Sequence, residues 1–451
     1  MRSTRLGLAI LLASTLGLIA AGPARAGLEN EPFFPHAGSG AYDAFAYDVR
    51  LAYRGDGSIR ATTAIKALAM KRLTDFSLDF FGPKVSAVKV NGRPARFSRG
   101  PGKLRIHAAR AVPKGTVLAA TISYAGTPPR ITDPDGSSEG WYRTDDGVIA
   151  VGEPQGTAAW IPCDNVPSDK AEFKFEVSVP AGLKAVANGR LRKAERRGGR
   201  TTYGWEEPAP MSPYLAVLNI GRGELAKGKA GGEPAWTLVD PRLARGSRRV
   251  LSALPEAVRF LSRLYGGYPF NSAGSIVDYA PGLGYALETQ SRPIYAFVPD
   301  LTTLVHETAH QWFGDAVGIE RWPQIWLNEG FATWTEWYYA ERHGGRGAHA
   351  IFKRLLAVPA SNEGFWNPPS GRPTSAKQLF DPSIYVRGAM ALQALREKIG
   401  TKPMLRLLRR WVLEHSYGSA TIEEFTELSE RISGRGLDNF FRRWLYQRGK
   451  P

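Results

Sequence analysis

The chain has 451 residues, 43% of them hydrophobic and 11% aromatic, which excludes an intrinsically disordered protein and is enough for two packed domains. The formal net charge is +17, but lysine and arginine are spread along the chain, which favours an ordinary solvated surface over a specific nucleic-acid site. Cys163 is the only cysteine, so no disulfide can form within the chain.

The first 26 residues have the pattern of a secretory signal peptide. Arg2 and Arg5 precede an apolar stretch, and Ala24-Arg25-Ala26 matches a small-x-small cleavage site. An uncleaved membrane anchor is disfavoured because the apolar stretch is short and interrupted by Ser and Gly. No later stretch reaches the roughly 20 apolar residues that span a bilayer. We therefore expect export to the periplasm or the medium, with no transmembrane span.

The next part of the chain alternates apolar and polar side chains as β-strands do. The apolar positions are Tyr47, Val49, Leu51 and Tyr53; Phe76, Leu78 and Phe80; Leu118, Ala120, Ile122 and Tyr124; and Phe173, Phe175, Val177 and Val179. Turn signals separate these runs, at Gly55-Asp56-Gly57, Asn91-Gly92, Pro113-Lys114-Gly115 and Asn188-Gly189. The pattern predicts an antiparallel β domain in residues 27–225, with the charged Lys193–Arg200 at an exposed hairpin tip.

The pattern changes after Gly221, and we interpret Lys227–Pro234 as a connector. Helical spacing follows, at Leu251, Leu254, Val258, Leu261 and Leu264 and at Met390, Leu392, Leu395 and Ile399. Gly344-Gly345 is a helix stop. Residues 226–451 are therefore predicted to form a mostly helical domain with a few strands, which makes the whole chain an α+β protein.

One predicted helix carries a metal-binding pattern, H-E-x-x-H, formed by His306, Glu307 and His310. Side chains four residues apart lie on one helix face, so both imidazoles can reach one Zn²⁺. Glu307 is placed to act on a metal-bound water. The competing interpretation, a polar face on a surface helix, is disfavoured because the flanking residues are apolar and uncompensated buried polar groups are costly.

A catalytic zinc needs a third protein ligand and one open position. Eighteen residues separate Glu329 from His310, enough for a loop and a second helix packed on the first. The set His306, His310 and Glu329 therefore predicts one zinc per chain. Asp315 and Glu336 are further acids nearby, and each either orients a ligand imidazole or exposes its charge to solvent.

The runs HETAHQWFGDAV and WLNEGFATWTE resemble the zinc signature of the aminopeptidase N family of zinc metallopeptidases, the gluzincin aminopeptidases. The similarity extends to Leu437–Leu445, which resembles the end of the family's catalytic domain. It implies a saddle-like antiparallel β domain followed by a mostly helical thermolysin-like zinc peptidase domain. The large helical domain that many members carry has no counterpart in this sequence. The resemblance therefore does not predict how enclosed the substrate channel is.

The resemblance also implies substrate-binding residues. Gly284–Glu288 is similar to the family's G-x-M-E-N segment, with Tyr285, Leu287 and Thr289 in place of its Gly, Met and Asn. The match implies that Glu288 binds the free amine of the substrate. Glu153 precedes Pro154 and resembles the first-domain element that gives a second carboxylate or amide to the same amine.

Tyr385–Ala389 resembles the family's Y-x-K-G-A, with Arg387 replacing the usual lysine and keeping its charge. The match implies that Tyr385 stabilises the tetrahedral oxyanion, whereas spacing alone favours a core aromatic beside Ile384.

The sequence thus predicts a zinc aminopeptidase that acts on peptides with a free N-terminus, in which Glu307 takes a proton from water and passes it to the leaving amine. A zinc endopeptidase would use the same ligands but would not need Glu153 and Glu288. A non-peptide, epoxide-type hydrolase on the same scaffold is a further alternative. A binding protein on a degenerate peptidase fold is disfavoured because the ligands and the general base are intact. The sequence indicates no oligomeric state.

Overall fold

The structure is a computed structural model that describes residues 31–451. The predicted signal peptide, residues 1–26, lies outside the described residues. From residue 31 onward, no helix combines the length and the apolarity that crossing a membrane requires.

The first part of the described chain consists of β-strands. They are β1 (Tyr42–Tyr53), β2 (Ile59–Ala69), β3 (Leu73–Asp79), β4 (Lys84–Val90), β5 (Arg93–Pro94), β6 (Arg96–Gly100), β7 (Lys103–Val112), β8 (Val117–Gly126), β9 (Arg130–Thr132), β10 (Ser138–Arg143), β11 (Val148–Val151), β12 (Ala171–Pro180), β13 (Lys184–Ala187), β14 (Arg190–Arg197), β15 (Arg200–Met211) and β16 (Leu218–Gly221).

These strands form three sheets. The largest has the order β14-β15-β12-β1-β2-β8-β4-β5, the second the order β13-β16-β11-β10-β9, and the third the order β3-β7-β6. The pairing is antiparallel as predicted, except that β1 and β12 run parallel, with Val49 opposite Phe175. The apolar side chains of the predicted alternation are buried, because each strand turns one face to the core.

Two of the predicted turns join different sheets instead of closing a hairpin. Pro113-Lys114-Gly115 leads from β7 in the third sheet to β8 in the largest sheet, and Asn188-Gly189 is the other. The Asn188-Gly189 turn leads from β13, which pairs with β16 in the second sheet, to β14, which pairs with β15 in the largest sheet. The Asn188 side chain and the Gly189 backbone bond Gln290, Ser291 and Arg292 in the second part of the chain.

The second part of the chain contains helices and a further sheet. Its strands are β17 (Glu224–Ala230), β18 (Glu233–Val239), β19 (Ala273–Val277), β20 (Ala286–Leu287), β21 (Ile294–Tyr295), β22 (Val317–Ile319) and β23 (Gly418–Ala420). Its helices are α1 (Ala244–Leu251), α2 (Leu254–Tyr265), α3 (Leu301–His310), α4 (Trp326–Arg342), α5 (Ala348–Leu356), α6 (Glu363–Trp366), α7 (Pro382–Ile399), α8 (Thr401–His415), α9 (Ile422–Ser433) and α10 (Asp438–Phe441). The predicted α+β fold is confirmed.

The connector interpretation of Lys227–Pro234 is wrong. This segment belongs to the β17–β18 hairpin, which turns at Gly231-Gly232, where both glycines have positive φ. Strand β17 is at the edge of its sheet and most of its side chains are exposed, so its lysines and glycines show no apolar alternation. The predicted boundary between residues 225 and 226 falls within β17 and stays a prediction.

Two local features place the helices that carry the candidate site. The Asp300 side chain accepts a hydrogen bond from the Thr303 N–H at 2.7 Å and so caps the start of α3. Helices α4 and α7 approach closely at Gly330 and Gly388, where a Cβ added to Gly330 would lie 3.0 Å from the Gly388 Cα. A side chain at either position would push α7, which carries Tyr385, away from α4, which carries Glu329.

Candidate active site

The residues of the H-E-x-x-H pattern lie on α3 as predicted, and Glu329 lies in the first turn of α4. The Glu329 Oε2 atom is 3.3 Å from the His306 Nε2 atom and 3.4 Å from the His310 Nε2 atom. One ligand atom of each of the three residues lies within 4.8 Å of the other two. The structure therefore brings the predicted ligand set together at one point.

The outer nitrogen of each imidazole is already engaged. The His306 Nδ1 atom is 2.5 Å from the Glu336 Oε1 atom, and the His310 Nδ1 atom is 3.0 Å from the Phe313 carbonyl oxygen. Because a carbonyl oxygen only accepts, Nδ1 of His310 carries the proton, and a neutral ring turns an Nε2 lone pair toward Glu329. Two acceptors that face each other require a cation between them, and two imidazoles with one carboxylate are a donor set that suits Zn²⁺.

The pKa values of the ligand residues also indicate that this site favours positive charge. Burial lowers the pKa of His310, but the Glu329 and Glu288 carboxylates outweigh burial and raise it to about 9. Burial raises the pKa of Glu329, but the two imidazoles, His310 first, outweigh burial and lower it to about 2. A divalent cation between these groups would replace the protons that the imidazoles otherwise hold.

Glu307 lies beside the ligand atoms rather than among them. Burial raises the pKa of its carboxyl to about 7, although the charges of His306 and His310 oppose the shift. One carboxylate oxygen of Glu307 lies within 4.8 Å of ligand atoms of Glu288 and His310. A buried carboxyl that titrates near neutral pH is suited to accept and return a proton.

Glu153 and Glu288 form a second group of acids next to the ligands. Glu288 directly follows β20 and is 3% exposed, and Glu153 lies in the loop after β11. One carboxylate oxygen of each lies within 4.8 Å of Glu329 and of the other. Among residues 31–451, neither Glu153 Oε1 nor Glu288 Oε1 has a hydrogen-bond partner. Burial is the main cause of the raised pKa of both carboxyls. Two ionised carboxylates in this position would need a bound cation to compensate their charge.

Tyr385 is half-buried in α7 with its ring against His306. The two ring centroids are 6.1 Å apart and the planes differ by 21°. Burial raises the pKa of its phenol well above the ordinary value, so the hydroxyl stays protonated and can donate a hydrogen bond. The structure thus places Tyr385 beside a metal ligand, where the resemblance implied an oxyanion donor.

The two further acids have different environments. Glu336 bonds the His306 imidazole, which is the orienting role among its two predicted alternatives. Asp315 neither orients an imidazole nor reaches solvent. It is fully buried, its carboxylate oxygens have no hydrogen-bond partner in the described part of the chain, and its carbonyl accepts from Lys170 Nζ at 2.6 Å.

Arg387 does more than replace the charge of a lysine. Its buried guanidinium donates hydrogen bonds to five backbone carbonyls, those of Trp366, Arg443, Trp444, Gln447 and Gly449. It therefore fixes the C-terminal segment to the helix that carries Tyr385. Five backbone acceptors arranged around one guanidinium use the full donor capacity of arginine, which lysine does not have.

Sequence reasoning missed the Phe313 carbonyl, which orients His310, and the side chain of Gln311, which bonds the segment that carries Glu288. A backbone carbonyl leaves no mark in the sequence. The position of Gln311, directly after the last residue of the metal pattern, is the only signal that could have drawn attention to it.

Comparisons with known proteins agree with this geometry. The model of the Peptidase family M1 domain matches residues 300–444, and that of the Peptidase M1 N-terminal domain matches residues 94–215, which together are more than half of the chain. A leucyl aminopeptidase from Saccharolobus solfataricus is 23% identical over 404 residues, 83% of this chain and 50% of the relative. A probable aminopeptidase 2 from Sulfurisphaera tokodaii is 25% identical over 318 residues, 65% of this chain and 40% of the relative. The chain spans about half or less of the length of these curated relatives.

Solved structures cover more of the fold. An M1 zinc metallopeptidase from Deinococcus radiodurans has a TM-score of 0.85 and 29% sequence identity, over 93% of this chain and 97% of that chain. A variant of that enzyme bound to a Tyr-Ser-Ala substrate gives the same TM-score, identity and coverage. With both of its domains matched by models of one family, and with the two-domain architecture of a solved member, the chain belongs to peptidase family M1.

Proposed function

We propose that this protein is a zinc-dependent aminopeptidase that hydrolyses the N-terminal peptide bond of peptides. The observation that carries the proposal is the convergence of a complete His₂Glu ligand set with Glu153 and Glu288, each of which has a buried carboxylate oxygen with no hydrogen-bond partner in residues 31–451. The aminopeptidase names of the curated relatives and the zinc peptidase structures support it.

In this proposal His306, His310 and Glu329 hold the zinc ion, which when bound polarises the scissile carbonyl and acidifies a water. Glu307 accepts the proton of that water and returns it to the leaving amine, a task for which a pKa raised by burial to about 7 is suited. The Tyr385 hydroxyl donates a hydrogen bond to the oxygen on which negative charge develops. Glu336 and the Phe313 carbonyl keep the two imidazoles oriented throughout.

The two unpaired carboxylates explain why the enzyme would trim ends rather than cut within chains. Glu288 and Glu153 pair with the α-ammonium group of the substrate and so place its first peptide bond at the metal. An internal or acetylated nitrogen is neutral and would leave both carboxylates buried without a partner. Substrates of that kind are therefore rejected.

The test is a matched pair of substrates, Ala-anilide and N-acetyl-Ala-anilide, assayed with and without a chelator. We expect kcat/KM for the free amine to exceed that for the acetylated compound by on the order of a hundredfold or more. Chelation should abolish turnover, and stoichiometric Zn²⁺ should restore it. Equal cleavage of both substrates would contradict the amine anchor and favour an endopeptidase.

We also propose that the protein is exported and cleaved after Ala26, on the signal-peptide pattern of residues 1–26. The intact mass of the protein recovered outside the cytoplasm tests this proposal. We expect a chain that begins at Gly27, and a chain that retains Met1 would contradict cleavage.

A further inference from the structure

The segment Glu288–Arg292, which we call the amine loop, carries Glu288 in an unusual backbone conformation. Ser291 has a φ of 63°, a left-handed conformation that residues other than glycine adopt at a cost in free energy. All five residues of the loop are buried. A strained, buried loop keeps one conformation only where bonds from its surroundings impose it.

Gln311 supplies two of these bonds. Its Nε2 atom donates to the Glu288 carbonyl oxygen at 3.0 Å, and its Oε1 atom accepts from the backbone N–H of Ser291 at 2.7 Å. The Tyr268 hydroxyl donates to the same Oε1 atom at 3.3 Å. Since Gln311 directly follows His310 in the chain, one buried carboxamide joins the amine loop to the last metal ligand of α3.

The N-terminal domain holds the other side of the same loop. The Asn188 Nδ2 atom donates to the Gln290 carbonyl at 2.9 Å, and the backbone N–H of Gly189 donates to the Ser291 hydroxyl at 2.8 Å. Arg292 donates to the Gly189 carbonyl at 2.6 Å, with its guanidinium 4.7 Å from the centre of the Trp205 ring. These contacts fix the loop to the β domain. The two hydrogen bonds to Gln311 fix it on the other side to the end of α3, next to the metal ligand His310.

We infer that Gln311 is a positioning residue that sets the distance between the metal and the amine-binding carboxylate of Glu288. The inference rests on the proposed function. In an aminopeptidase the α-ammonium group and the scissile carbonyl are joined through a single carbon atom, so the two groups that receive them must keep a fixed separation. Gln311 bonds the backbone of Glu288 itself, and it touches neither substrate nor metal in this role.

A second glutamine with the same burial allows a positioning role of Gln311 to be distinguished from a purely structural one. Gln393 on α7 is 2% exposed, as Gln311 is. Its Oε1 atom accepts from Trp334 Nε1 at 3.1 Å and its Nε2 atom donates to Glu397 Oε1 at 3.0 Å. Substitution of Gln393 by methionine therefore also removes a bridging carboxamide, but no contact to the amine loop.

The experiment compares Gln311→Met and Gln393→Met with the parent enzyme, with zinc content, Tm and kcat/KM for Ala-anilide and N-acetyl-Ala-anilide as readouts. For Gln311→Met we expect one zinc per chain, a raised KM for the free amine, and a ratio of free to acetylated kcat/KM that falls by about tenfold. For Gln393→Met we expect a lower Tm and the parental ratio. A parental ratio in Gln311→Met would overturn the inference.

Gln311→Glu is the second variant, in case the methionine variant does not fold. It keeps the acceptor for the Ser291 N–H but turns an oxygen toward the Glu288 carbonyl, so the ratio should fall as well. A parental ratio in this variant would contradict the positioning role. If the parent itself cleaves both substrates equally, the proposed function fails and the inference with it; a parental preference that survives in the Gln311 variants contradicts the inference alone.

Discussion

Two regions of the site, which we call the metal side and the amine side, satisfy their polar atoms in different ways. On the metal side, formed by His306, His310 and Glu329, both imidazole Nδ1 atoms have partners within the protein. On the amine side, formed by Glu153 and Glu288, one carboxylate oxygen of each residue is buried with no hydrogen-bond partner among residues 31–451. The metal side is preorganised by the chain, whereas in the proposed function a charged substrate completes the amine side.

The two regions also rest on different scaffolds. The metal side is built on α3 and α4, two helices packed against each other. The amine side is built on a loop after β11 and on the loop that follows the two-residue strand β20, from two different domains. Changes on the metal side should therefore act on zinc and on chemistry, and changes on the amine side on the choice of substrate.

The largest expected effects are on the metal side, where binding and chemistry can be separated by one pair of variants. His310→Ala removes a ligand and should lose both zinc and activity. Glu307→Gln leaves all three ligands in place, so it should keep one zinc per chain while turnover falls by on the order of a thousandfold or more. Metal analysis and kcat on the two purified variants measure this difference. Zinc content unchanged in His310→Ala would refute the ligand set.

Tyr385→Phe should fold and bind zinc normally but lose most of its kcat, with little change in KM. In the proposed function the hydroxyl donates a hydrogen bond chiefly in the transition state, and one such donor typically contributes roughly 3–4 kcal/mol. Tyr265→Phe is the matched control, because it also removes a buried hydroxyl. That hydroxyl bonds Thr335 at 2.8 Å, and the Tyr265 ring packs on Trp312 and Phe313 rather than on a ligand imidazole. If both variants keep parental kcat, Tyr385 is only a packing residue.

On the amine side, Glu288→Ala should raise KM for free peptides and reduce the preference for a free amine over an acetylated one by on the order of a hundredfold. Zinc content should not change, since Glu288 is not one of the three ligands. Glu288→Gln sharpens the experiment because it keeps the shape and removes only the charge. A preference that persists in both variants would place the amine anchor elsewhere.

The smallest effect is expected for Glu336→Gln, which weakens the orientation of His306 without removing a ligand. Zinc affinity should fall by about 10–100-fold, and activity should recover when zinc is saturating. Glu397→Gln is the matched control, because Glu397 also bonds a histidine, His349 Nδ1 at 2.7 Å, but one that is not a ligand. Equal zinc affinity in both variants would show that the Glu336 contact does not tune the site.

Local patterns in the sequence predicted the parts of the protein that depend on nearby residues. The alternation from Tyr47 to Tyr53 lies in β1, and the helical spacing around Met390 lies in α7, because one buried face imposes its period on each element. The connector interpretation failed at β17 because an exposed edge strand has no buried face to impose that period.

The sequence by itself determined the metal side to a large extent: the spacing of His306 and His310 puts two imidazoles on one turn of a helix whatever surrounds it. Only the tertiary structure decided how the site is completed. It alone surrounded the Arg387 guanidinium with backbone carbonyls and placed the Gln311 side chain against the loop that carries Glu288. The physical reason is that these contacts use backbone groups and residues distant in the chain, whose meeting depends on how whole elements pack and leaves no periodic signal in the sequence.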